Sequence, residues 1–273
     1  MTASVFCIAN QKGGVGKTTT AVNLAAALAV HGQKVLLIDL DAQGNATMGS
    51  GIEKSQCVNT VYEMMIGRAT AEESTVASEN GGYDLIPANR DFAAAEIDLM
   101  NFQDRDTRLK DALGAVMEKY DFVLIDCPPS LSMVTVNALV AAHGVIIPMQ
   151  CEYFALEGIS DLINTIKRIR FNKNPDLTII GLLRVMYDPR QTLQRQVSEQ
   201  LKENFADRVF DTIVPRNVRL AEAPSYGEPG IVYDASSRGA KAYRDFAAEL
   251  LKRLGRKVKA KSRRAPAKSA TKR

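Results

Sequence analysis

One glycine-rich run near the start of the chain combines residue types that are suited to bind phosphate, Lys12-Gly13-Gly14-Val15-Gly16-Lys17-Thr18-Thr19. Glycines allow a backbone to curl until several N–H groups point inwards, and such a nest binds phosphate oxygens. Lys17 can reach the β- and γ-phosphates of a nucleotide, and the Thr18 hydroxyl can coordinate Mg²⁺. We therefore predict a loop that binds the phosphates of a nucleotide together with Mg²⁺.

The segments on either side of this run fit the order strand, loop and helix. Apolar residues 5–9 predict a buried strand, and the alanine-rich residues 21–30 have a helical pattern. A helix that begins at the loop adds its free N–H groups and the positive end of its dipole. The usual pattern is G-x-x-x-x-G-K-[ST], but here Gln11 replaces the first glycine and Lys12 adds a second lysine.

Aspartates follow two further apolar runs. Residues 34–38 predict a strand that leads into Asp39-Leu40-Asp41, and residues 122–125 predict one that ends at Asp126. Carboxylates at the carboxyl ends of buried parallel strands lie where α/β proteins bind ligands. We expect Asp41 to orient a water towards a γ-phosphate, and Asp126 and Asp39 to hold Mg²⁺ through water. The alternative for Asp39 and Asp41 is an ordinary helix cap or turn.

The rest of the chain alternates apolar runs with amphipathic segments. This order predicts an α/β fold with a doubly wound, mostly parallel sheet flanked by helices, with the phosphate-binding loop where the strand order reverses. We expect a single domain over residues 1–254. Further strands are expected at residues 83–89, 145–150 and 177–185, helices at 61–66, 93–100, 106–119, 158–171, 193–205 and 237–254, and a surface loop or helix at 70–82.

Composition and charge describe a globular body with a basic extension. Hydrophobic residues make up 46% of the 273 residues and charged residues 24%, and no apolar run approaches the length of a membrane span. Residues 255–273 contain nine Lys or Arg and no Asp or Glu. The formal net charge of residues 1–254 is therefore −5, although that of the whole chain is +4. We expect this tail to be disordered, with either no role or a sequence-independent attraction to phosphates. Four cysteines without a C-x-x-C pair, and no recognisable secretion signal, favour a reduced, cytoplasmic protein.

Several separated motifs resemble the ParA/MinD/nitrogenase-iron-protein superfamily, and in particular its ParA/Soj members. The glycine-rich run resembles the deviant phosphate-binding loop of that superfamily, which has the extra lysine. Asp39-Leu40-Asp41-Ala42-Gln43-Gly44-Asn45 resembles the first switch segment, with Ala42 in place of the usual proline, and Asp126-Cys127-Pro128-Pro129 resembles the second. Residues 151–158 and 212–227 resemble ParA/Soj segments, and the resemblance covers nearly all of residues 3–252.

The resemblance implies roles that the residue pattern alone leaves open. It implies that Lys12 reaches the nucleotide of a second copy in an ATP-dependent homodimer, and that Pro215 and Asn217 contact the adenine base. From the residues alone, the segment around Pro215 and Asn217 could offer backbone groups and an amide to the adenine edge, and an ordinary turn is the alternative. Arg190 and Arg219 resemble positions at which the family contacts DNA. The alternatives are solvated surface charges and, for Arg219, an internal ion pair.

The function that the resemblance implies is ATP-dependent segregation of DNA, with Lys12, Lys17 and Asp41 as catalytic residues. An ATP-bound dimer would bind DNA without sequence preference on the nucleoid, and a ParB-type partner would stimulate hydrolysis and release. Chromosome and plasmid cargo both stay open. The main alternative is a MinD-like ATPase on the membrane, but no Phe, Leu or Ile follows Leu254 to build a C-terminal amphipathic helix. An electron-transferring iron protein would need a cysteine pair, and a kinase or ligase would not need Lys12.

Overall fold

The computed structural model, which describes residues 3–153 and 155–258 except for the side chains of 155–157, is built on one eight-stranded sheet. Its strands are β1 (Ser4–Ile8), β2 (Val35–Asp39), β3 (Val76–Ser78), β4 (Tyr83–Ile86), β5 (Phe122–Asp126), β6 (Gly144–Met149), β7 (Thr178–Val185) and β8 (Val209–Val214). They lie in the order β3-β4-β2-β5-β1-β6-β7-β8, and every neighbouring pair is parallel except β3 and β4. The predicted, mostly parallel sheet is confirmed.

Helices cover both faces of this sheet. In the part of the chain that the structure describes they are α1 (Lys17–Val30), α2 (Asn45–Gly49), α3 (Val61–Ile66), α4 (Ala95–Leu99), α5 (Arg108–Leu113), α6 (Met133–Ala141), α7 (Ala155–Asn172), α8 (Thr192–Phe205), α9 (Val218–Glu222), α10 (Gly230–Tyr233) and α11 (Arg238–Arg253). One core contains residues of α1 and α9 to α11, and the other contains residues of α3 to α8. Val5 and Cys7 belong to one core, and Phe6 and Ile8 belong to the other, because strand side chains alternate between faces.

The strand order brings three carboxyl ends side by side. The chain passes from β1 to β2 on one side, and later crosses from β5 over β1 to β6 on the other. The register pairs Asp126 with Ile8 of β1 and with Asp39 of β2. The glycine-rich loop after β1 and both aspartates therefore lie at one edge of the sheet, at the predicted point of reversal.

Three segments differ from the sequence-based prediction. Residues 70–82 contain the edge strand β3. Its three residues are extended because they pair antiparallel with β4, and their own sequence has no alternating hydrophobic pattern that would predict a strand. The helix predicted over residues 106–119 is shorter, because α5 ends before Gly114 and a 3-10 turn follows at Met117–Lys119. The helix predicted over residues 93–100 is present as the shorter α4, and a 3-10 turn, Arg90–Ala94, precedes it.

The chain stays packed on the body beyond the predicted boundary at Leu254. Arg256 donates from Nη2 to the Ser4 hydroxyl at 2.9 Å and from Nη1 to the Asp121 carbonyl at 3.2 Å. Its guanidinium also lies 4.4 Å from the centroid of the Phe122 ring. The predicted basic tail from residue 259 onwards lies outside the described residues. No helix in the described part is long and apolar enough to cross a membrane.

The turn that leads from β2 into α2 depends on Gly44. Its N–H donates to the carbonyl of Asp41 at 2.8 Å, and its φ of 62° lies in the left-handed region. A Cβ at this position would lie 2.8 Å from the carbonyl oxygen of Ala88, in the backbone that follows β4. The absence of a side chain therefore allows the segment after Asp39 to approach this neighbouring loop closely.

We expect Gly44→Ala to lower the free energy of unfolding by more than about 1 kcal/mol, the cost of a left-handed alanine alone. Gly255→Ala is the matched control, because Gly255 has a φ of 65° but no described atom within 4 Å of its Cβ position. Urea unfolding of the nucleotide-free protein measures both changes. Equal losses in the two variants would contradict a steric role for Ala88.

Candidate active site

The glycine-rich loop joins β1 to α1, as the sequence predicts. Gly14 and Gly16 have φ values of 71° and 75°, a left-handed conformation that glycine adopts without a steric penalty. Gly16 is the N-cap of α1 and has no side chain to bond the first N–H groups of the helix. Those N–H groups and the loop amides are consequently available to phosphate oxygens. Val15 is buried and anchors the loop, whereas Gly13 is exposed.

Lys17, the first residue of α1, turns back across this loop. Its side chain is 7% exposed, and its ammonium donates to the carbonyl of Lys12 at 3.0 Å. Burial lowers the pKa of Lys17, and the nearby carboxylates of Asp126 and Asp41 oppose that shift. A desolvated ammonium that spans a nest of N–H groups is well placed to contact β- and γ-phosphates.

The carboxylate of Asp126 is fully buried, and neither of its oxygens has a hydrogen-bond partner among the described residues. Burial raises the pKa of Asp126 well above its usual range, and the charge of Asp39 adds to the rise. The nearby Thr18 hydroxyl and Lys17 ammonium act in the opposite direction. An unpartnered carboxylate beside a threonine hydroxyl fits Mg²⁺, which retains several waters and binds through few protein groups. The donor set therefore fits the predicted metal site at Thr18 and Asp126.

Asp39 is equally buried but is fully engaged in hydrogen bonds. Its carboxylate accepts bonds from the amide and hydroxyl of Thr47, both at 2.8 Å, and from the amide of Asp41 at 3.1 Å. Burial raises the pKa of Asp39 to about 6, although these hydrogen bonds act to lower it. Asp39 thus holds the segment between β2 and α2, and its predicted water-mediated role at Mg²⁺ stays a prediction. Sequence reasoning missed Thr47, whose hydroxyl also accepts a bond from Ala88 N at 2.9 Å.

Asp41 lies at the mouth of the site and is only partly buried. One of its carboxylate oxygens accepts a hydrogen bond from the amide of Gln43 at 3.0 Å. Its charge also acts on the ammonium of Lys17, which places the two groups near each other. Ala42, in place of the proline usual in the family, is half-buried in this turn. The geometry suits a carboxylate that orients a water rather than one that binds phosphate.

Lys12 is held at the surface on the other side of the loop. Its ammonium forms an ion pair with Glu152, and the two side chains are 51% and 46% exposed. Gln150, just after β6, donates from its side-chain amide to the carbonyl of Gly14 at 3.0 Å. The segment after β6 therefore supports the loop through two side chains that sequence reasoning did not identify as site residues. An ion pair this exposed contributes about 0–1 kcal/mol, so Lys12 can leave it at little cost.

The remaining predicted residues lie beyond β7 and β8, at the same edge of the sheet. Pro215 is half-buried. Asn217 is the N-cap of α9, and its side-chain oxygen Oδ1 accepts a hydrogen bond from the amide of Leu220 at 3.3 Å. Arg190 follows β7 and has a side chain that is 88% exposed. Arg219, on α9, is 53% exposed and forms an ion pair with Glu222. Such an internal ion pair was the alternative to a DNA contact at this position. Contacts of these residues with adenine and DNA stay predictions.

The cysteines do not form a second chemical centre. All four are free, and Cys127, which follows Asp126, is buried. A hydrogen bond with Cys7 and burial raise the pKa of the Cys127 thiol well above its usual value, so the thiol is protonated and a poor nucleophile. Among the described residues, no group of three or more His, Cys, Asp or Glu side chains could hold a metal ion by itself.

This fold and site define a P-loop nucleotide-binding protein with a second lysine in the loop. A family model described as an AAA domain matches residues 3–179. The sporulation initiation inhibitor protein Soj of Bacillus subtilis is 51% identical over 246 residues, which cover 90% of this chain and 97% of Soj. The chromosome partitioning protein ParA of Caulobacter vibrioides is 49% identical over 251 residues, which cover 91% of this chain and 94% of ParA. The chain therefore belongs to the ParA/Soj family of P-loop ATPases.

A solved structure supports the same placement. A protein crystallised as cobyrinic acid a,c-diamide synthase from Mycobacterium smegmatis, with a bound ATP analogue and magnesium, is 37% identical to this chain. The match covers 95% of this chain and 100% of that one, with a TM-score of 0.82. The expected fold class, family and ATPase type are thus confirmed.

The raised carboxylate pKa values predict how stability depends on pH. Folded Asp39 and Asp126 bind protons at a higher pH than they do when unfolded, so stability is lost as the pH rises through the folded pKa values, from about 4 to 6 for Asp39. In protein free of nucleotide and Mg²⁺, we expect Asp126→Asn to raise the free energy of unfolding at pH 7.5 by roughly 1–3 kcal/mol. We also expect a smaller gain at pH 5, where part of the charge is already neutralised.

Urea unfolding at both pH values, with EDTA present, measures this effect. Asp161→Asn is the matched control, because Asp161 is exposed and removal of its charge relieves no burial. A destabilised Asp126→Asn variant at pH 7.5 would show that the buried charge is not the dominant cost at this site.

Proposed function

We propose that this ATPase, with ATP and Mg²⁺ as its cofactors, segregates DNA. The observation that carries the proposal is the second lysine of the loop, because the Lys12 ammonium is exposed at the rim of the site while Lys17 is buried within it. An exposed cation at this position can serve the nucleotide of a second copy of the chain. The Caulobacter relative, which is named for chromosome partitioning, supports the same assignment.

Each residue of the site has a distinct part in the proposed hydrolysis. The loop amides and Lys17 hold the phosphates, and Thr18 and Asp126 would hold Mg²⁺, the latter through water. The metal supplies charge neutralisation at the β- and γ-phosphate oxygens. Asp41 orients the attacking water. Lys12 from the partner copy adds positive charge as negative charge develops in the transition state, so hydrolysis requires a dimer.

A mixing experiment tests this sharing of residues between two copies. Lys12→Ala and Asp41→Ala should each lose most ATP hydrolysis but retain ATP binding. In a mixed dimer, the protomer with intact Asp41 receives Lys12 from its partner, so one complete site is restored. An equal mixture should therefore recover about a quarter of the parent activity, since half the dimers are mixed and each has one working site of two. ATP turnover of each variant and of the mixture measures this.

Lys17→Ala is the control for the mixing experiment. Lys17 acts within its own copy, so this variant should lose ATP binding and, with it, ATP-dependent dimerisation. Its mixture with Lys12→Ala should therefore stay inactive, because no mixed dimer forms. Full turnover by strictly monomeric protein, or an equal mixture as inactive as its components, would argue against a shared site.

The DNA-binding part of the proposal rests on charge at the surface. Residues 1–254 carry a net charge of −5, so DNA must meet a local basic surface rather than the body as a whole. Arg190 and Arg219 are exposed at the edge of the sheet that carries the nucleotide site. A dimer presents each of them twice, which makes DNA affinity depend on ATP. Contacts with phosphates carry no sequence information, so binding is non-specific.

We expect Arg190→Glu and Arg219→Glu to lose DNA binding while ATP binding and dimerisation persist. Binding weakens with salt in proportion to the phosphate contacts made, and each lost contact should lower that slope by about one unit. Titration of a random-sequence duplex at several salt concentrations, with ATP, measures both quantities. Lys54→Glu, on the turn near Gln43, is a control for charge reversal elsewhere. Unchanged affinity and slope in both arginine variants would place the DNA surface elsewhere.

The partner and location follow from the same proposal. A ParB-type protein stimulates hydrolysis and releases the dimer from DNA, and the protein resides in the cytoplasm on the nucleoid. Sedimentation with DNA and with liposomes, each with and without ATP, separates this function from the MinD-like alternative. Retention on liposomes but not on DNA would overturn the proposal.

A further inference from the structure

Arg190 is already paired with a carboxylate of its own segment. Its Nε and Nη2 atoms donate to the two carboxylate oxygens of Asp188 over distances from 2.7 to 3.2 Å. The amide of Arg190 donates to the same carboxylate at 3.0 Å. The hydrogen bonds from Arg190 lower the pKa of Asp188 to about 2, so this carboxylate is charged at any physiological pH.

Arg219 lies between two carboxylates. Its Nη1 atom donates to Glu222 at 2.9 Å, one turn further along α9, and its Nε atom lies 3.6 Å from a carboxylate oxygen of Asp234. All three side chains are at least 30% exposed, so this cluster lies at the surface. Its formal charge is −1, although the arginine is one of the two residues proposed to attract DNA.

These pairs use the donors that a phosphate would need. The Nε and Nη2 edge of an arginine is one of the forks that bind a carboxylate or a phosphate through two parallel hydrogen bonds. In Arg190 that edge is occupied by Asp188. A DNA phosphate must therefore displace the carboxylate or approach a pair with no net charge, and either route weakens the contact.

We propose that Asp188, Glu222 and Asp234 compete with DNA phosphates for Arg190 and Arg219, and so keep the DNA affinity of this ATPase low enough for rapid release. The inference rests on the proposed function, because it concerns the same DNA-contacting arginines. It assigns to three acidic residues a role in setting the strength of the contact.

The geometry favours competition over positioning. A carboxylate that positions an arginine for DNA would leave the Nε and Nη2 edge of the guanidinium free for the phosphate. Asp188 instead lies two residues before Arg190, and the guanidinium folds back along its own loop to reach it. The Arg190 side chain remains 88% exposed, so no packing maintains this conformation. Loss of the carboxylate would free the side chain to extend towards a phosphate.

Competition and positioning predict opposite effects of Asp188→Asn on DNA affinity. Asp188→Asn keeps the size of the side chain and an acceptor for the turn, but removes the charge. Competition predicts tighter DNA binding by about two- to fivefold at low salt, the range that exposed ion pairs allow. It also predicts a salt dependence that is steeper by about one unit per protomer, because a neutral pair becomes a net cation. Positioning predicts weaker binding and a shallower salt dependence.

A random-sequence duplex, with ATP and Mg²⁺ in the solution, is the probe for the purified full chain. Asp104→Asn is the matched control, because it makes the same change in net charge and breaks an ion pair between the exposed Asp104 and the partly buried Arg108 on α5. ATP binding and turnover without DNA should be equal in both variants. Glu222→Gln should repeat the effect at Arg219.

The combined variant Asp188→Asn/Arg190→Gln separates the inference from the function on which it rests. If the acid acts through the arginine, this variant binds DNA as Arg190→Gln does, with no gain from the loss of Asp188. If Arg190→Gln weakens binding but Asp188→Asn leaves it unchanged or weaker, competition is wrong and the DNA surface stands. If Arg190→Gln, Arg219→Gln and Asp188→Asn all bind as the parent does, the surface and the competition are both excluded.

Discussion

The buried carboxylate of Asp126 is the constraint on which the rest of the site depends. Removal of a carboxylate from water costs several kcal/mol unless a cation or hydrogen bonds compensate, and its two oxygens have no partner among the described residues. The neighbouring Asp39 increases that cost, because its own carboxylate is fully buried one strand away. The position is therefore prepared for positive charge before any ligand arrives. Such a local cost in stability is usual at functional sites, and it fits the metal site predicted at Asp126.

The two lysines of the loop show how burial divides one residue type between two tasks. Lys17 is enclosed by the loop and α1, where burial lowers the pKa of its ammonium and the nearby carboxylates of Asp126 and Asp41 oppose that shift. Lys12 is five residues earlier, on the exposed side, where an ion pair with Glu152 holds it loosely. A buried cation organises the site of its own chain, whereas an exposed one is free to serve a neighbouring chain. The proposed requirement for two copies rests on this difference in solvent exposure between the two lysines.

The arginines proposed to bind DNA also form exposed ion pairs. An acidic body repels DNA at long range, and the arginines proposed to overcome this repulsion lie beside carboxylates two or three residues away in sequence. Such pairs are weak in water, so a strong polyanion can compete for the arginine. A contact of this kind can be made and broken many times, which suits the proposed cycle of DNA binding and release.

The sequence by itself determined the local chemistry, and the tertiary structure decided which distant groups meet. The strand, glycine-rich loop and helix could be predicted because the backbone conformations at Gly14 and Gly16 depend on residue type at those positions. Aspartates at the ends of apolar runs were identified because Asp39 and Asp126 are the last residues of β2 and β5, at the carboxyl edge where parallel sheets bind ligands. The ion pair of Lys12 with Glu152 and the bond between Thr47 and Ala88 N span many residues, so no local pattern reveals them. The edge strand β3 also escaped prediction, because three residues form a strand only when β4 supplies their hydrogen bonds.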